Sequence, residues 1–301
     1  MNLEKININQ TFNQFKNIRP YDTEKTSLIV FACVSIVFPI VLNFVFYILS
    51  EFVFKGNTNL LQSFRLWYVL ANLLFQAISF FVFAIRDFRW FVSNRIYCYF
   101  IYTLFSPLIL SFISSFVAST IIDFLLKIAI VFFTFFRHDY VLGFFKRLKN
   151  WKNIIITILL TAIGIGMFYL LSFIMTSLTK LFATNDVSNN QESLNKYLNT
   201  TYGIILLFFL SCIFAPIIEE FVFRMFLIDI LNGKWFGYIL SFILFAFLHI
   251  QNTFDWTHIL MYLPLGIVNG LIYKLTKNIV PCISIHFICN LVAFISLIVT
   301  R

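Results

Sequence analysis

Charge is scarce in this chain. Only 12% of its 301 residues are Asp, Glu, Lys or Arg, 60% are hydrophobic, and the mean hydropathy is +0.90, which excludes a soluble globular domain. The five cysteines, Cys33, Cys98, Cys212, Cys282 and Cys289, form no CxxC pair and all fall in apolar segments. Neither a disulfide framework nor a zinc knuckle is indicated, and the thiols read as buried and free. The net charge is +9, but no basic block is coupled to a soluble domain that could present it, so no nucleic-acid partner is expected. The Phe excess carries no functional inference.

What the chain has in quantity is long apolar runs, and these predict an all-α, polytopic transmembrane bundle. A helix needs about 20 apolar residues to span the hydrocarbon core. Ser27 to Ser50 is a run of 24 uncharged residues, longer than a signal-peptide core and preceded by polar residues, so it is expected to stay as an anchor. Leu66 to Ile85 gives the second span. From Ile96 to Phe136 the chain runs 41 residues interrupted only by Asp123 and Lys127, which predicts a tight hairpin turning near Ser111 to Ser115. Asp123 and Lys127 are four apart and pair with each other on a helix, which lowers their burial cost without invoking a site.

Asn153 to Thr179 is the fifth span, followed by a polar loop from Lys180 to Thr200. Thr201 to Leu231, Lys234 to His249, His258 to Tyr273 and Ile279 to Val299 complete nine spans, or eight if the 96–136 hairpin does not fully cross. The chain divides into an arm at 1–26, an accessory membrane region at 27–200 and a helical core at 201–301. Within the accessory region, 137–152 holds five basic residues with Phe144, Phe145 and Trp151, a pattern for a segment along an anionic leaflet.

Lys and Arg counting sets the orientation. With the N-terminus in the cytosol, sixteen fall on inner segments and five on outer ones, so a multi-pass protein of the cell membrane is expected with its C-terminus outside. Trp67, Trp90, Trp151, Trp235 and Trp256 all fall at predicted helix ends, as an interfacial aromatic belt requires. Of two GxxxG patterns, Gly233 to Gly237 straddles a turn. Gly266 to Gly270 lies within a span, where it serves either dimerisation or close packing inside the bundle.

Against this background the polar residues of the last hundred positions stand out. The chain carries Glu219-Glu220-Phe-Val-Phe-Arg224, then Phe245-Ala-Phe-Leu-His249, then His286-Phe-Ile-Cys-Asn290. Ionisable groups in a bilayer cost about 2.5–3.5 kcal/mol each on insertion scales, so their clustering needs compensation or function. Glu220 and Arg224 are i,i+4 with the acid first, a favourable intrahelical ion pair. Glu219, about 100° round the helix, has no local partner. Pro216 frees backbone carbonyls and kinks the helix, which membranes tolerate where the chain lines a cavity. Counting rise from the Asn232-Gly233-Lys234 turn puts Glu219 at about 20 Å and His249 at about 23 Å. His286 and Asn290 share one helix face and approach the same level, in a site expected to be reached from the cytosolic half.

A desolvated carboxylate is a competent general base for water. His249 would help hold that water, and His286 and Asn290 would donate to the oxygen of a tetrahedral intermediate. The reaction class this fits is amide hydrolysis within or beside the membrane.

EExxxR, FxxxH and HxxxN in that order on successive apolar helices resemble the type II CAAX prenyl endopeptidase and bacteriocin-processing family, CPBP. The resemblance covers about residues 201 to 299. It implies a bacterial membrane protease in which Glu219 is the base, Glu220, Arg224 and Phe245 support the motifs, and His249, His286 and Asn290 complete the site. It implies a glutamate-dependent mechanism with no cofactor, in a family formerly classed as metalloproteases. If zinc were bound, Glu219, His249 and His286 would be its ligands. The HExxH, Gly-x-Gly-Asp and GxSG signatures of other intramembrane protease classes are absent. His138 and His258 read as interfacial.

The partners implied are the lipid bilayer and a membrane-embedded peptide or protein substrate. Three alternatives remain. The polar residues could only hold helices together; the chain could be an idle scaffold binding other membrane proteins or conferring peptide-toxin resistance; or it could be a transporter, which would need polar residues along a path that the N-terminal spans lack.

Overall fold

The computed structural model describes residues 25–53, 58–93, 96–135, 148–183, 188–231, 234–251 and 254–300. The arm at 1–24, most of the basic segment with His138, and Asn232-Gly233 lie outside the described residues. Among the described residues every regular element is helical, with no strand. We number the principal helices α1 (25–52), α2 (Thr58–Arg86), α3 (96–111), α4 (Phe116–Phe135), α5 (Trp151–Thr179), α6 (Asn189–Asn195), α7 (201–228), α8 (Trp235–Ile250), α9 (Ile259–Thr276) and α10 (Ile279–Val299).

Six helices are long and apolar enough to cross a membrane: Ile29–Phe52, Ser63–Arg86, Trp151–Thr179, Thr201–Ile228, Trp256–Thr276 and Ile279–Val299. Every apolar segment expected to span is helical, but nine full crossings are not reached by this measure. Ile96–Leu110 and Trp235–Ile250 are shorter apolar helices. At 1.5 Å per residue they cover only about 22 and 24 Å of a hydrocarbon core of about 30 Å. The break between α3 and α4 falls at 112–115, within the expected turn.

Helix starts follow local chemistry. Asn150, Ser188, Thr200 and Asn278 each stand at an N-cap and accept a backbone N–H two or three residues on, satisfying a donor the helix cannot. Trp151 and Trp235 occupy the first residue of their helices, and Trp256 opens a short 3-10 turn.

Prolines inside the membrane produce a second regularity. π-helical turns at Cys33–Val37, Ile101–Phe105 and Phe208–Phe214 are each followed, two residues on, by Pro39, Pro107 and Pro216. A proline has no N–H to donate and its ring crowds the preceding turn, and a widened turn relieves that crowding. The orphaned carbonyls still need donors, because lipid offers none. Four residues before Pro39, the Ser35 carbonyl accepts from Gln76 Nε2 at 3.0 Å and Tyr99 Oη at 2.8 Å. Ala215 N–H bonds five back to Leu210, so Pro216 leaves Ser211 O unpaired in that register. Asn290 Nδ2 donates to it at 2.8 Å.

The core joins α7 to α8, α9 and α10, with α5 packed on α9 and α10. Gly266 and Gly270 both face α8: a Cβ at Gly266 would lie 3.0–3.2 Å from Phe242 Cβ, Cα and O, and one at Gly270 would lie 3.0 Å from the Tyr238 ring. This GxxxG therefore serves packing inside the bundle. Because backbone atoms face it, Gly266→Val is expected to destabilise the protein by about 1–3 kcal/mol. Denaturation in detergent checks this, and an unchanged midpoint would contradict it.

The connection from α8 to α9 begins after Ile250. Its polar groups find internal partners. Fully buried Asn43 donates to Tyr68 Oη at 2.6 Å and to Gln251 O at 3.1 Å, and accepts from Trp256 Nε1 at 2.8 Å. His258 is buried rather than interfacial, with Nδ1 2.6 Å from Asp255 Oδ1.

Candidate active site

Glu219, His249, His286 and Asn290, on α7, α8 and α10, line one cavity of about 460 Å³. Glu219 and Glu220 are adjacent on a helix that is α-helical over Ala215–Glu220 and π-helical over Phe221–Ile228, so their side chains diverge and meet different partners.

Glu220 and Arg224 are both fully buried, with Arg224 Nε 3.0 Å from Glu220 Oε2 and Nη2 3.4 Å from Oε1. The closer contact lacks hydrogen-bond alignment, so it acts as charge against charge. Arg224 Nη1 also donates to Ser241 Oγ at 3.1 Å, and Ser241 donates to the Phe223 carbonyl at 2.8 Å. The Phe245 ring lies 4.9 Å from the guanidinium carbon, a cation–π contact, and also lines the cavity. It thus separates the ion pair from the space the catalytic candidates face.

The expected self-sufficient pair has a third member. His286 Nδ1 lies 2.8 Å from Glu220 Oε1. A carboxylate oxygen only accepts, so Nδ1 carries the proton and Nε2 is the remaining ring nitrogen. That Nε2 stands 3.9 Å from Glu219 Oε2, too long for a hydrogen bond and short enough for one water to reach both.

Glu219 is 7% exposed. Its Oε1 accepts from Tyr102 Oη at 2.8 Å, while Oε2 has no hydrogen-bond partner among the described residues. His249 Nδ1 is 2.8 Å from the Phe245 carbonyl, and its ring stacks on Tyr262 at 4.7 Å and 22°. It too donates through Nδ1. Asn290 commits one of its two N–H groups to Ser211, so it braces α10 against the proline-broken turn of α7 as well as lining the cavity.

Tyr102 was not among the expected site residues. One tyrosine in an apolar run looks like any other, and only the tertiary fold brings α3 against α7. Asp123 and Lys127 form the expected ion pair, but both also line the cavity. Asn190, Gln191, Leu194 and Tyr197 from the α6 region line it too.

The lining shows which end of the bundle the cavity extends toward. Along α7 the lining residues run from Leu207 to Phe223, and along α10 from His286 to Leu297. The cavity therefore extends from the glutamate and histidine toward the end of the bundle that carries 188–199. Leu231, Trp235 and Lys277 lie at the other end, the one the basic-residue count assigns to the cytosol.

Among the described residues no three His, Cys, Asp or Glu side chains are grouped so as to hold a metal ion. Nδ1 of each histidine is hydrogen-bonded, that of His249 to the Phe245 carbonyl and that of His286 to Glu220, so Nε2 is the free ring nitrogen of both.

Residues 201–292 match the family model described as type II CAAX prenyl endopeptidase Rce1-like, the family that the three motifs resemble. Among curated proteins the chain is similar to UPF0177 protein YbdI of Lactococcus lactis, 27% identical over 110 residues, which are 36% of this chain and 59% of that protein. It is also similar to UPF0177 protein YvdC of the same organism, 24% identical over 142 residues, 46% of this chain and 52% of that one. The chain thus spans little more than half the length of these relatives. No solved structure matches.

Proposed function

We propose that this multi-pass membrane protein is an intramembrane endopeptidase that hydrolyses a peptide bond of a membrane-associated substrate with water activated by Glu219. The observation that carries the reading is the buried Glu219 Oε2, without a hydrogen-bond partner among the described residues and 3.9 Å from His286 Nε2 at the wall of a cavity. A water between them donates one hydrogen to each acceptor. Glu219 takes a proton as the water oxygen bonds to the carbonyl carbon and the carbonyl electron pair moves onto oxygen. The same proton then passes to the amide nitrogen as the C–N bond breaks, so Glu219 ends as it began.

His286 resembles the imidazole of a carboxylate–histidine dyad: Glu220 fixes its tautomer and stabilises any positive charge it acquires. Arg224 stands against the same carboxylate as its counter-charge. The second N–H of Asn290 is the donor left for the oxyanion, and His249 Nε2 completes the polar wall. Comparing the membrane peptides that accumulate in cells carrying the parent or the Glu219→Gln form tests the reading and identifies the substrate. Identical peptide profiles would end it.

Tyr102 is a positioning residue in this scheme. Its phenol holds Oε1 and leaves Oε2 as the basic oxygen. Tyr102→Phe is expected to lower kcat about tenfold, the equivalent of about 1.4 kcal/mol, with KM unchanged. Steady-state kinetics in detergent check this, and a change confined to KM would contradict it.

A further inference from the structure

We propose that the cavity receives its substrate from the outer face of the membrane, so that the peptide cleaved is the part of an exported or membrane-anchored polypeptide lying at the outer leaflet. The substrate assignment rests on the peptidase reading. The sidedness rests only on the observations that follow.

Along α7 and α10 Glu219 and His286 lie toward the end of the cavity lining that is remote from 188–199. From His286 to Leu297, both lining it, α10 rises about 16 Å. At the far end stand Asn190, Gln191, Leu194 and Tyr197, so the 188–199 segment forms the wall above the site. Gln191 is partly exposed and Glu192 and Ser193 are exposed, so this wall has one side toward the cavity and one toward water. Its composition is polar and balanced: between 180 and 200 lie Lys180 and Lys196 against Asp186 and Glu192. A single span, α5, separates it from the 137–152 segment with its five basic residues. One further span, α7, separates it from Lys234.

Basic excess marks the cytosolic side, so both neighbours of the 180–200 segment are cytosolic and the segment itself is outside. The conclusion does not depend on whether nine or fewer segments cross fully. Removing the α3–α4 hairpin takes away two passes and leaves the parity of everything after it unchanged.

Single cysteines in a background lacking the five native ones test this directly. Ser193→Cys, beside the cavity mouth, is expected to react with a membrane-impermeant maleimide on intact cells. Lys149→Cys, exposed at the other end of α5, is expected to react only after permeabilisation. Gln191→Cys should react from outside with a small charged thiosulfonate. Any pattern in which Ser193→Cys is not labelled ahead of Lys149→Cys overturns the proposal. If the cysteine-free protein fails to accumulate, an epitope placed after Arg301 in the native chain gives the same reading, because α10 ends at the cavity's mouth. Detection on intact protoplasts supports outward access, and detection only after lysis refutes it. Outward labelling together with a catalytically silent protein would leave the sidedness standing and remove the peptidase reading.

Discussion

Glu219→Gln is expected to yield a folded protein whose cleavage of a membrane peptide is at least about a hundredfold below the parent, within the 10²–10⁴ typical of a lost general base. The substitution keeps the shape of the side chain and leaves an oxygen able to accept from Tyr102 at the position of Oε1. The basic oxygen opposite His286 becomes an amide nitrogen that takes no proton from water. Substrate binding along the cavity should be retained, so the loss falls on kcat. A purified Gln variant that melts with the parent and cleaves at the parent rate would remove Glu219 from the chemistry. A scaffold would keep its biological effect in this variant.

Arg224→Ala is expected to lower abundance several-fold and stability by about 3–5 kcal/mol, because breaking a buried ion pair leaves the other charge uncompensated. Glu220 has no exposed surface and, among the described residues, would keep only His286 as a hydrogen-bond partner. The change also takes a donor from Ser241 and the cation from over Phe245. Pairing Arg224→Met with Glu220→Gln removes both charges and should recover part of the stability without recovering activity, since His286 then lacks its carboxylate. If Arg224→Ala accumulates and unfolds like the parent, the ion pair is not what holds this part of α7.

Much of the architecture is legible in one dimension because apolar length and charge placement are local properties. The hairpin break near 112–115, the limits of α5 and α10 and the gathering of Glu219, His249, His286 and Asn290 all follow from runs and spacings. Other features need the third dimension. Tyr102 carries no sequence mark, and its value comes from α3 packing against α7. His258 appears interfacial by position, yet Asp255 turns inward with it. Asn290 reads as a donor to substrate, but the missing N–H of Pro216 claims one of its hydrogens, a debt visible only once the turn before Pro216 is known to be π-helical. Depth along α7 and α8 is legible from the 232–234 turn, but the extension of the cavity toward the end that carries 188–199 is not. Residues 190–197, which wall that end, have no motif.

The phenol that steadies Glu219 comes from residue 102, about a hundred positions before the stretch shared with the Rce1-like family begins at 201. A chimera that transplants 201–292 onto the first two hundred residues of a distant relative would preserve every motif and still hand Glu219 a different neighbour. Two proteins that share 201–292 and differ in the helix that carries residue 102 can therefore place different groups against the same glutamate while their motifs stay identical.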